Sequence, residues 1–200
     1  MQNETYKTIT KFSEGIYKEK GSKFIAFAYP VNSKEQALSI IETVKKQHHS
    51  ARHHCWAYRL GYDGSEYRVN DAGEPANTAG KPILGQIDAF SLTHILLLVV
   101  RYFGGTLLGV GGLIQAYKAA AKNALEAAEI QTKHIPYNVS ITCNYEDLPH
   151  IIDYILQQNG TIISQSYQEN CELMCELTKQ HYEQLSKYSS KYSSLILQLL

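Results

Sequence analysis

The sequence predicts an α+β protein of two domains, and three observations lead to that prediction. Residues 1–134 hold sixteen Lys and Arg against twelve Asp and Glu, whereas residues 135–200 hold three against seven, so the charge changes sign along the chain. Hydrophobic periodicity stops near residues 131–136, where a proline interrupts the chain. Beyond that point the predicted order is strand, helix, strand, strand, helix, strand, which is typical of a ferredoxin-like fold. We therefore expect one domain over residues 1–134 and a second over residues 135–200.

The first domain begins with a predicted hairpin. Extended segments with alternating Phe, Ile and Tyr fill residues 5–31 on either side of a turn at residues 19–22. Apolar residues then recur at helical spacing through residues 33–47, with Asn32 or Ser33 in place to cap the helix. This pattern predicts an amphipathic surface helix.

A second hairpin, a loop and a central strand are predicted next. Two short strands within residues 53–70 are separated by a segment that ends in the Asp-Gly pair at 63–64, a pair that suits a tight turn. Residues 71–81 hold small and turn-forming side chains and predict a loop, and a short helix with Pro82 in its first turn is expected next. The apolar run at residues 94–103 predicts a strand buried on both faces of the sheet.

Five glycines lie within residues 104–112, between that strand and a predicted long helix. Glycines at the start of a helix can cradle a phosphate. A Walker phosphate loop is excluded because Val110 and Gly111 stand where it needs Lys and Ser or Thr, and the dinucleotide fingerprint lacks its third glycine. No nucleotide cofactor is expected. Two interpretations remain open, a tightly packed turn and an anion site beside Arg101 and Tyr102.

Histidine and cysteine are concentrated in residues 48–55, which raises the question of a zinc site. His53 and Cys55 would share one face of a strand and His54 the other, and no second Cys or His cluster completes a ligand set. We expect no metal ion and no other cofactor.

The predicted loop also carries an acidic pair, Asp71 and Glu74, with Thr78 and Lys81 nearby. A hydrolase could use these carboxylates with His53 or His54 as a base. However, no nucleophile motif accompanies them. Capping of the turn and of the next helix is the favoured interpretation, and no catalytic residue is assigned.

Membrane and disulfide features bear on the compartment. No run approaches the roughly eighteen apolar residues of a membrane span, and the first residues lack the apolar core of a signal peptide. Four cysteines are too few and too scattered for a disulfide framework. A cytoplasmic protein with buried thiols and no membrane association is expected.

Three ordered motifs, at residues 51–61, 73–84 and 101–117, together with residues 21–26, resemble those of the YigZ/IMPACT family. The resemblance covers nearly the whole chain. It implies a first domain with the fold of ribosomal protein S5 domain 2 and a ferredoxin-like second domain similar to domain V of the translocating elongation factor. Because eukaryotic relatives regulate translation, the resemblance implies a non-enzymatic protein that binds RNA or a component of the translation machinery.

The motifs supply a set of candidate binding residues. They are His53, Asp71, Glu74, Thr78, Lys81, Arg101, Tyr102, Gly104, Gly105, Gly111 and Gly112. This chain departs from the family pattern at Ala72, where relatives commonly have an acid, and at Leu107 and Gln115, where relatives often carry lysine and arginine. Two alternatives remain, a hydrolase acting between the 71–81 loop and the glycine turn, and a module that binds only proteins.

Overall fold

The computed structural model describes residues 4–188 and 194–200. Contacts within the chain divide it into two compact units, the first ending at Lys133 and the second beginning at His134. Both units combine helices with antiparallel sheets, so the protein has an α+β fold. Among the described residues, no helix is long and apolar enough to cross a membrane.

A five-stranded antiparallel sheet organises the first unit. In spatial order its strands are β2 (Ser13–Glu19), β3 (Ser22–Pro30), β6 (Ile95–Tyr102), β4 (His53–Leu60) and β5 (Glu66–Asn70). The apolar run is confirmed as the central strand, since β6 is buried at every position except Tyr102.

Helices cover the two faces of this sheet. They are α1 (Lys34–Gln47), α2 (Gly80–Ala89) and α3 (Gly109–Glu126). Buried residues of α1 pack with Trp56 and Tyr58 on one face, which we call the α1 face. Buried residues of α2 and α3 pack with Cys55 and Ala57 on the other, the α3 face. Successive residues of a strand therefore point to different cores, as the period of two requires.

Local signals account for the hairpin and helix predictions in this unit. The turn between β2 and β3 consists of Lys20 and Gly21, whose φ angles of 45° and 78° are those of a tight two-residue hairpin. Ser33 caps α1, because its hydroxyl oxygen accepts a hydrogen bond from the Gln36 N–H at 3.2 Å. The predicted first hairpin turn and the capped helix are both confirmed.

One prediction at the start of the first unit is wrong, and a strand that was not predicted lies at its end. The segment predicted as one extended strand from residue 5 is broken near Thr10, and β1 (Thr5–Ile9) pairs with β7 (Ile130–His134) in a separate two-stranded sheet. Residues 131–134, where hydrophobic periodicity stops, lie in β7. The cause is long-range pairing that local patterns do not show: the Thr10 N–H donates to the Glu129 carbonyl at 3.0 Å.

The second unit has one four-stranded antiparallel sheet and two helices. Its strands, in spatial order, are β11 (Ile196–Leu199), β8 (Tyr137–Cys143), β10 (Cys171–Leu177) and β9 (Thr161–Tyr167). The helices are α4 (Leu148–Gln157) and α5 (Lys179–Tyr188). Alternate residues of β8 and β10 enter one core, so the sheet has one apolar face. The end predicted for the last helix, at residues 189–190, lies outside the described residues.

Candidate functional site

The loop between β5 and α2 is held in shape by its own polar groups. The Asp71 carboxylate accepts hydrogen bonds from the N–H groups of Asn77, Ala79 and Gly80 at 2.8–3.0 Å. It thereby caps the start of α2, which begins at Gly80 and carries Pro82 in its first turn, as expected. The buried Thr78 hydroxyl donates to a carbonyl within the same loop at 2.7 Å. These two side chains fix the loop.

Glu74 projects from this loop into the interior of the first unit. The Arg101 Nη1–H donates to Glu74 Oε1 at 2.6 Å, and the Tyr117 hydroxyl donates to the same oxygen at 2.7 Å. The side chains of Glu74 and Arg101 are only 3% and 6% exposed. We call Glu74, Arg101, Tyr117, His53 and Cys55 the Glu74 cluster. Its centre is a buried ion pair, so removal of one charge would leave the other uncompensated.

Strand register brings the remaining members of the cluster together. His53 and Arg101 are directly opposite on β4 and β6, and Phe24 is opposite Arg101 on β3. The guanidinium carbon of Arg101 lies 5.5 Å from the centre of the Phe24 ring and 5.6 Å from that of Phe103, within the range of a cation–π contact. His53 Nδ1 lies 3.0 Å from the carbonyl oxygen of Ala72; because a carbonyl only accepts, Nδ1 carries a proton.

Burial keeps the potential nucleophiles of the cluster protonated. The Cys55 thiol lies 3.0 Å from the Asp71 carbonyl and 3.3 Å from the Tyr117 hydroxyl, and burial raises its pKa to about 12. Burial also raises the pKa of Tyr117 far above its ordinary value. His53 Nε2 is 3.9 Å from the Glu74 carboxylate, beyond hydrogen-bond range. The arrangement anchors the loop to the sheet and offers no thiolate for covalent catalysis.

The histidine-rich segment and the acidic loop do not combine into a metal site. Over residues 4–188 and 194–200, no group of three or more His, Cys, Asp or Glu side chains is arranged to hold a metal ion. His54 faces the α1 side of the sheet, where its Nε2 lies 3.1 Å from the His48 carbonyl. As the strand period predicts, His53 and His54 point in opposite directions.

Residues 104–112, which we call the glycine surface, connect β6 to α3. Gly104 is required by a close backbone approach, because a Cβ there would lie 1.9 Å from the carbonyl carbon of Gly21 in the β2–β3 turn. Its N–H also donates to Ser22 Oγ at 3.1 Å. Gly105 and Gly109 have positive φ angles of 86° and 70°, a backbone conformation that favours glycine.

Neither a close backbone approach nor a positive φ angle explains the glycine at position 111. It lies in the first turn of α3 without a positive φ, and no neighbouring heavy atom lies within 4 Å of where its Cβ would be. Gly109 and Gly111 therefore do not support the interpretation of a tightly packed turn, since both face open space. Gly112 has one close neighbour, the Leu108 Cβ at 3.1 Å.

The start of α3 is open to a partner from outside the protein. Leu108 at the N-cap position makes no side-chain capping bond, and the first turn holds no acidic residue. Leu107 and Val110 beside it are 83% and 60% exposed. The first N–H groups of a helix need partners from outside the helix, and the Leu108 side chain provides none.

The structure separates the sequence-predicted site residues into groups. His53, Glu74 and Arg101 join the Glu74 cluster, whereas Lys81 is exposed on α2. Tyr102 lies on the α1 face, where its hydroxyl is 2.8 Å from His48 Nδ1. The binding role of these residues remains a prediction.

Sequence reasoning missed two members of the Glu74 cluster, Cys55 and Tyr117. Burial is expected of Cys55 as a thiol and of Tyr117 on the apolar stripe of the long helix, and both side chains are fully buried. The available signal was the hydroxyl of Tyr117 within an alanine-rich helical stripe, because a buried phenol normally needs a hydrogen-bond partner.

Comparisons with known proteins match this architecture. Residues 20–125 match the Impact N-terminal domain family. The chain belongs to the IMPACT family. An IMPACT family member from Haemophilus influenzae is 35% identical over 198 residues, which cover 97% of this chain and 95% of that protein. The IMPACT family member YigZ of Escherichia coli is 36% identical over 183 residues, 90% of each chain.

A solved structure extends the family match to the fold. The crystal structure of a hypothetical protein, 33% identical in sequence, covers all of this chain and 98% of its own with a TM-score of 0.81. The resemblance to the YigZ/IMPACT family that the motifs indicated is confirmed by these relatives.

Proposed function

We propose that this IMPACT family protein is a non-enzymatic binding protein that binds RNA through the glycine surface, in a role connected with translation. The observation that carries the proposal is Gly111. Glycine within a helix costs about 0.5–1 kcal/mol relative to alanine, and no contact or backbone angle of the folded chain requires it here. Gly85 in α2 shares both features, so the argument rests on the position of Gly111 in the first turn of α3, whose N-cap residue makes no capping bond. A partner that approaches the backbone closely there supplies a reason for glycine.

RNA phosphate suits this surface electrostatically. The start of a helix carries partial positive charge and N–H groups that bind anions. The first domain also has a net charge of +4, from sixteen basic against twelve acidic side chains over residues 1–134, which favours association with a polyanion. Family membership supports the connection with translation, since the resemblance implies such a role for eukaryotic members.

The hydrolase alternative receives less support from the geometry. Glu74 is neutralised by Arg101 and also accepts from Tyr117, and the Cys55 thiol is held protonated by burial. Turnover of an ester, phosphate or peptide substrate that is abolished in His53→Ala, with the fold retained, would establish this alternative instead.

A protein partner is the second candidate, and the exposed apolar side chains favour it. Phe103, Leu107 and Val110 are 45%, 83% and 60% exposed along the same segment. Exposed apolar clusters often mark sites of protein association. Such a partner would use the glycine surface without contacting nucleic acid.

Crosslinking in lysate with and without nuclease tests the proposal. Wild-type protein should recover RNA, and Gly111→Ala should recover less because its methyl group blocks backbone approach. Gly85→Ala in α2 is the matched control, since Gly85 also lacks neighbours within 4 Å and a positive φ. Undiminished recovery by both variants would refute the proposal, whereas a discrete protein partner that survives nuclease and disappears in Gly111→Ala would establish the second candidate.

The finer fold assignments belong to the same proposal. We propose that residues 1–134 form a domain of the ribosomal protein S5 domain 2 type and residues 135–200 a ferredoxin-like domain, each folding alone. The antiparallel strand order β11-β8-β10-β9 supports the second assignment. Each segment expressed alone should unfold cooperatively in urea, and a segment without a transition would place the boundary elsewhere.

A cytoplasmic location completes the proposal. Cys143 and Cys171 are directly opposite on β8 and β10, yet both are free thiols. Free thiols so close together fit a reducing compartment. Fractionation of cells that express a tagged chain should recover the protein with cytoplasmic markers.

A further inference from the structure

Two lysines face each other across the β2–β3 hairpin. Lys18 and Lys23 are directly opposite in the register and therefore lie on the same face of the sheet. Like charges placed directly opposite destabilise an antiparallel pair. Neither lysine takes part in an ion pair among the described residues. The hairpin thus keeps a repulsion that nothing in the fold requires.

Nearby acids do not offset this repulsion. Glu19 lies one position along the strand from Lys18 and therefore points to the other face, where its carboxylate accepts a hydrogen bond from the Tyr17 hydroxyl at 3.1 Å. Glu14 shares the face of Lys18 but lies two rows further along the hairpin, opposite Phe27. Lys20 in the exposed turn adds a third positive charge.

The row of lysines continues onto a tyrosine. Lys23 is directly opposite Tyr102 of β6, so Lys18, Lys23 and Tyr102 form one row across three strands on the α1 face. We call it the lysine–tyrosine row. The Tyr102 hydroxyl lies 2.8 Å from His48 Nδ1, and the ring remains partly exposed.

Helix α1 leaves this part of the sheet uncovered. Ile16, in the next row of the same face, is 44% exposed, and Phe12 is 46% exposed while its ring lies 4.9 Å from that of Tyr29. Aromatic rings and lysines side by side on an open sheet face are the features that single-stranded nucleic acid uses, through base stacking and phosphate contacts.

We infer that the lysine–tyrosine row binds a single-stranded segment of RNA, with Lys18 and Lys23 on phosphates and a base stacked on Tyr102. The inference rests on the proposed RNA binding and adds a contact surface on the face of the sheet opposite the Glu74 cluster. It also supplies the basic side chains that the glycine motif lacks at Leu107 and Gln115.

Salt dependence of oligonucleotide binding tests the lysines. A short fluorescent oligouridylate is titrated with the full chain at several salt concentrations. The variant Lys18→Gln/Lys23→Gln should lower the salt slope by about 0.7 for each phosphate that is no longer neutralised, or about 1.4 in all. The matched control is Lys34→Gln/Arg68→Gln, which removes the same charge from α1 and from the opposite sheet edge; its slope should equal that of the wild type.

Two substitutions of Tyr102 test the stacked base. Tyr102→Leu removes the ring and should weaken binding about tenfold. Tyr102→Phe keeps the ring but removes the hydroxyl that meets His48, and should bind as the wild type does. Equal weakening by both variants would overturn stacking, since it would attribute the effect to the hydroxyl.

The remaining outcomes separate this inference from the proposed function. A wild-type chain that binds no oligonucleotide would overturn both. Weakening by Gly111→Ala with no effect of the lysine pair would overturn the row alone, and so would equal slope changes in the lysine pair and its control. Polyglutamate that binds the wild type as tightly as RNA but does not bind the lysine-pair variant would identify an acidic protein partner and overturn the RNA inference.

Discussion

The Glu74 cluster and the glycine surface both adjoin the end of β6, and they differ in how completely the fold satisfies them. The cluster contains the residue types of catalysis, yet its carboxylate is engaged by Arg101 and Tyr117. The glycine surface has no reactive side chain, yet the start of α3 has no capping side chain and Gly111 faces open space. The residue types typical of catalysis therefore anchor the loop to the sheet in this fold. The surface available to a partner consists instead of backbone that no side chain covers.

The strongest test of this contrast is Arg101→Met, for which we expect a loss of about 3–5 kcal/mol in the free energy of unfolding. The physical reason is that Glu74 would be left as a buried, uncompensated carboxylate. Urea unfolding followed by far-UV circular dichroism measures the loss. The anion site that the sequence suggests beside Arg101 would instead have used an exposed side chain, whereas Arg101 is buried.

A double variant distinguishes the ion pair from general packing. Adding Glu74→Gln to Arg101→Met removes the uncompensated charge and should recover most of the loss. Lys122→Met is the control for an exposed pair, since both partners in its contact with Glu126 are 53% exposed; its effect should be near the error of the measurement. If the double variant is no more stable than Arg101→Met, the charge argument is wrong.

The second test concerns Gly104, the residue of the glycine surface that a close backbone approach requires. Gly104→Ala should lower the free energy of unfolding by about 1–3 kcal/mol, the range for overpacking. Its Cβ would lie 1.9 Å from the Gly21 carbonyl carbon and 2.2 Å from the Ser22 nitrogen, which are backbone atoms. The urea midpoint measures the loss, and an unchanged midpoint would show that the two turns can separate freely.

The third test uses pH to probe burial in the Glu74 cluster. Burial raises the pKa of Cys55 from 9.0 to about 12. The folded state therefore holds this proton more tightly than the unfolded state, so the stabilisation is complete below pH 9 and is lost as pH rises towards 12. Each such thiol lowers the free energy of unfolding by about 1.4 kcal/mol per pH unit in that window.

Comparison with Cys55→Ala isolates this contribution. Cys143 and Cys175, whose pKa values burial raises to about 11, remain in both proteins. The slope of unfolding free energy against pH above 9 should therefore be shallower in Cys55→Ala by the share of one thiol. Parallel slopes would mean that Cys55 is accessible to solvent.

The smallest expected effect has the opposite sign. Gly111→Ala should raise the free energy of unfolding by about 0.5–1 kcal/mol, because alanine loses less backbone entropy in a helix and no neighbour excludes its methyl group. Gly85→Ala should give a similar gain in α2. A loss of stability in Gly111→Ala alone would show that the fold requires Gly111. The main observation in favour of a partner at the glycine surface would then be removed.

Patterns within one segment predicted much of the fold. The capped α1, the β2–β3 turn and the central β6 each follow from signals a few residues apart. The pairing of β1 with β7 joins residues more than a hundred positions apart, and the sequence around either strand shows no sign of the other.

Long-range contacts also explain why the geometry of the candidate site could not be predicted from the sequence. The family motifs identified Glu74 and Arg101, but their ion pair depends on how a loop folds back over a strand end. Without that geometry, Arg101 could be read as an exposed cation beside the glycines. The opposition of Lys18 and Lys23 follows from hairpin register alone, so the predicted turn already implied it.

Pairing of β1 with β7 has a consequence for protein engineering. The Thr10 N–H, just after β1, meets the Glu129 carbonyl, just before β7, so the two strands run in opposite directions and the start of β1 lies towards the end of β7. A short linker could join these positions and new termini could be opened in an exposed loop, such as the one between β4 and β5. The first unit is thus suited to circular permutation and to insertion as a cassette into a host protein.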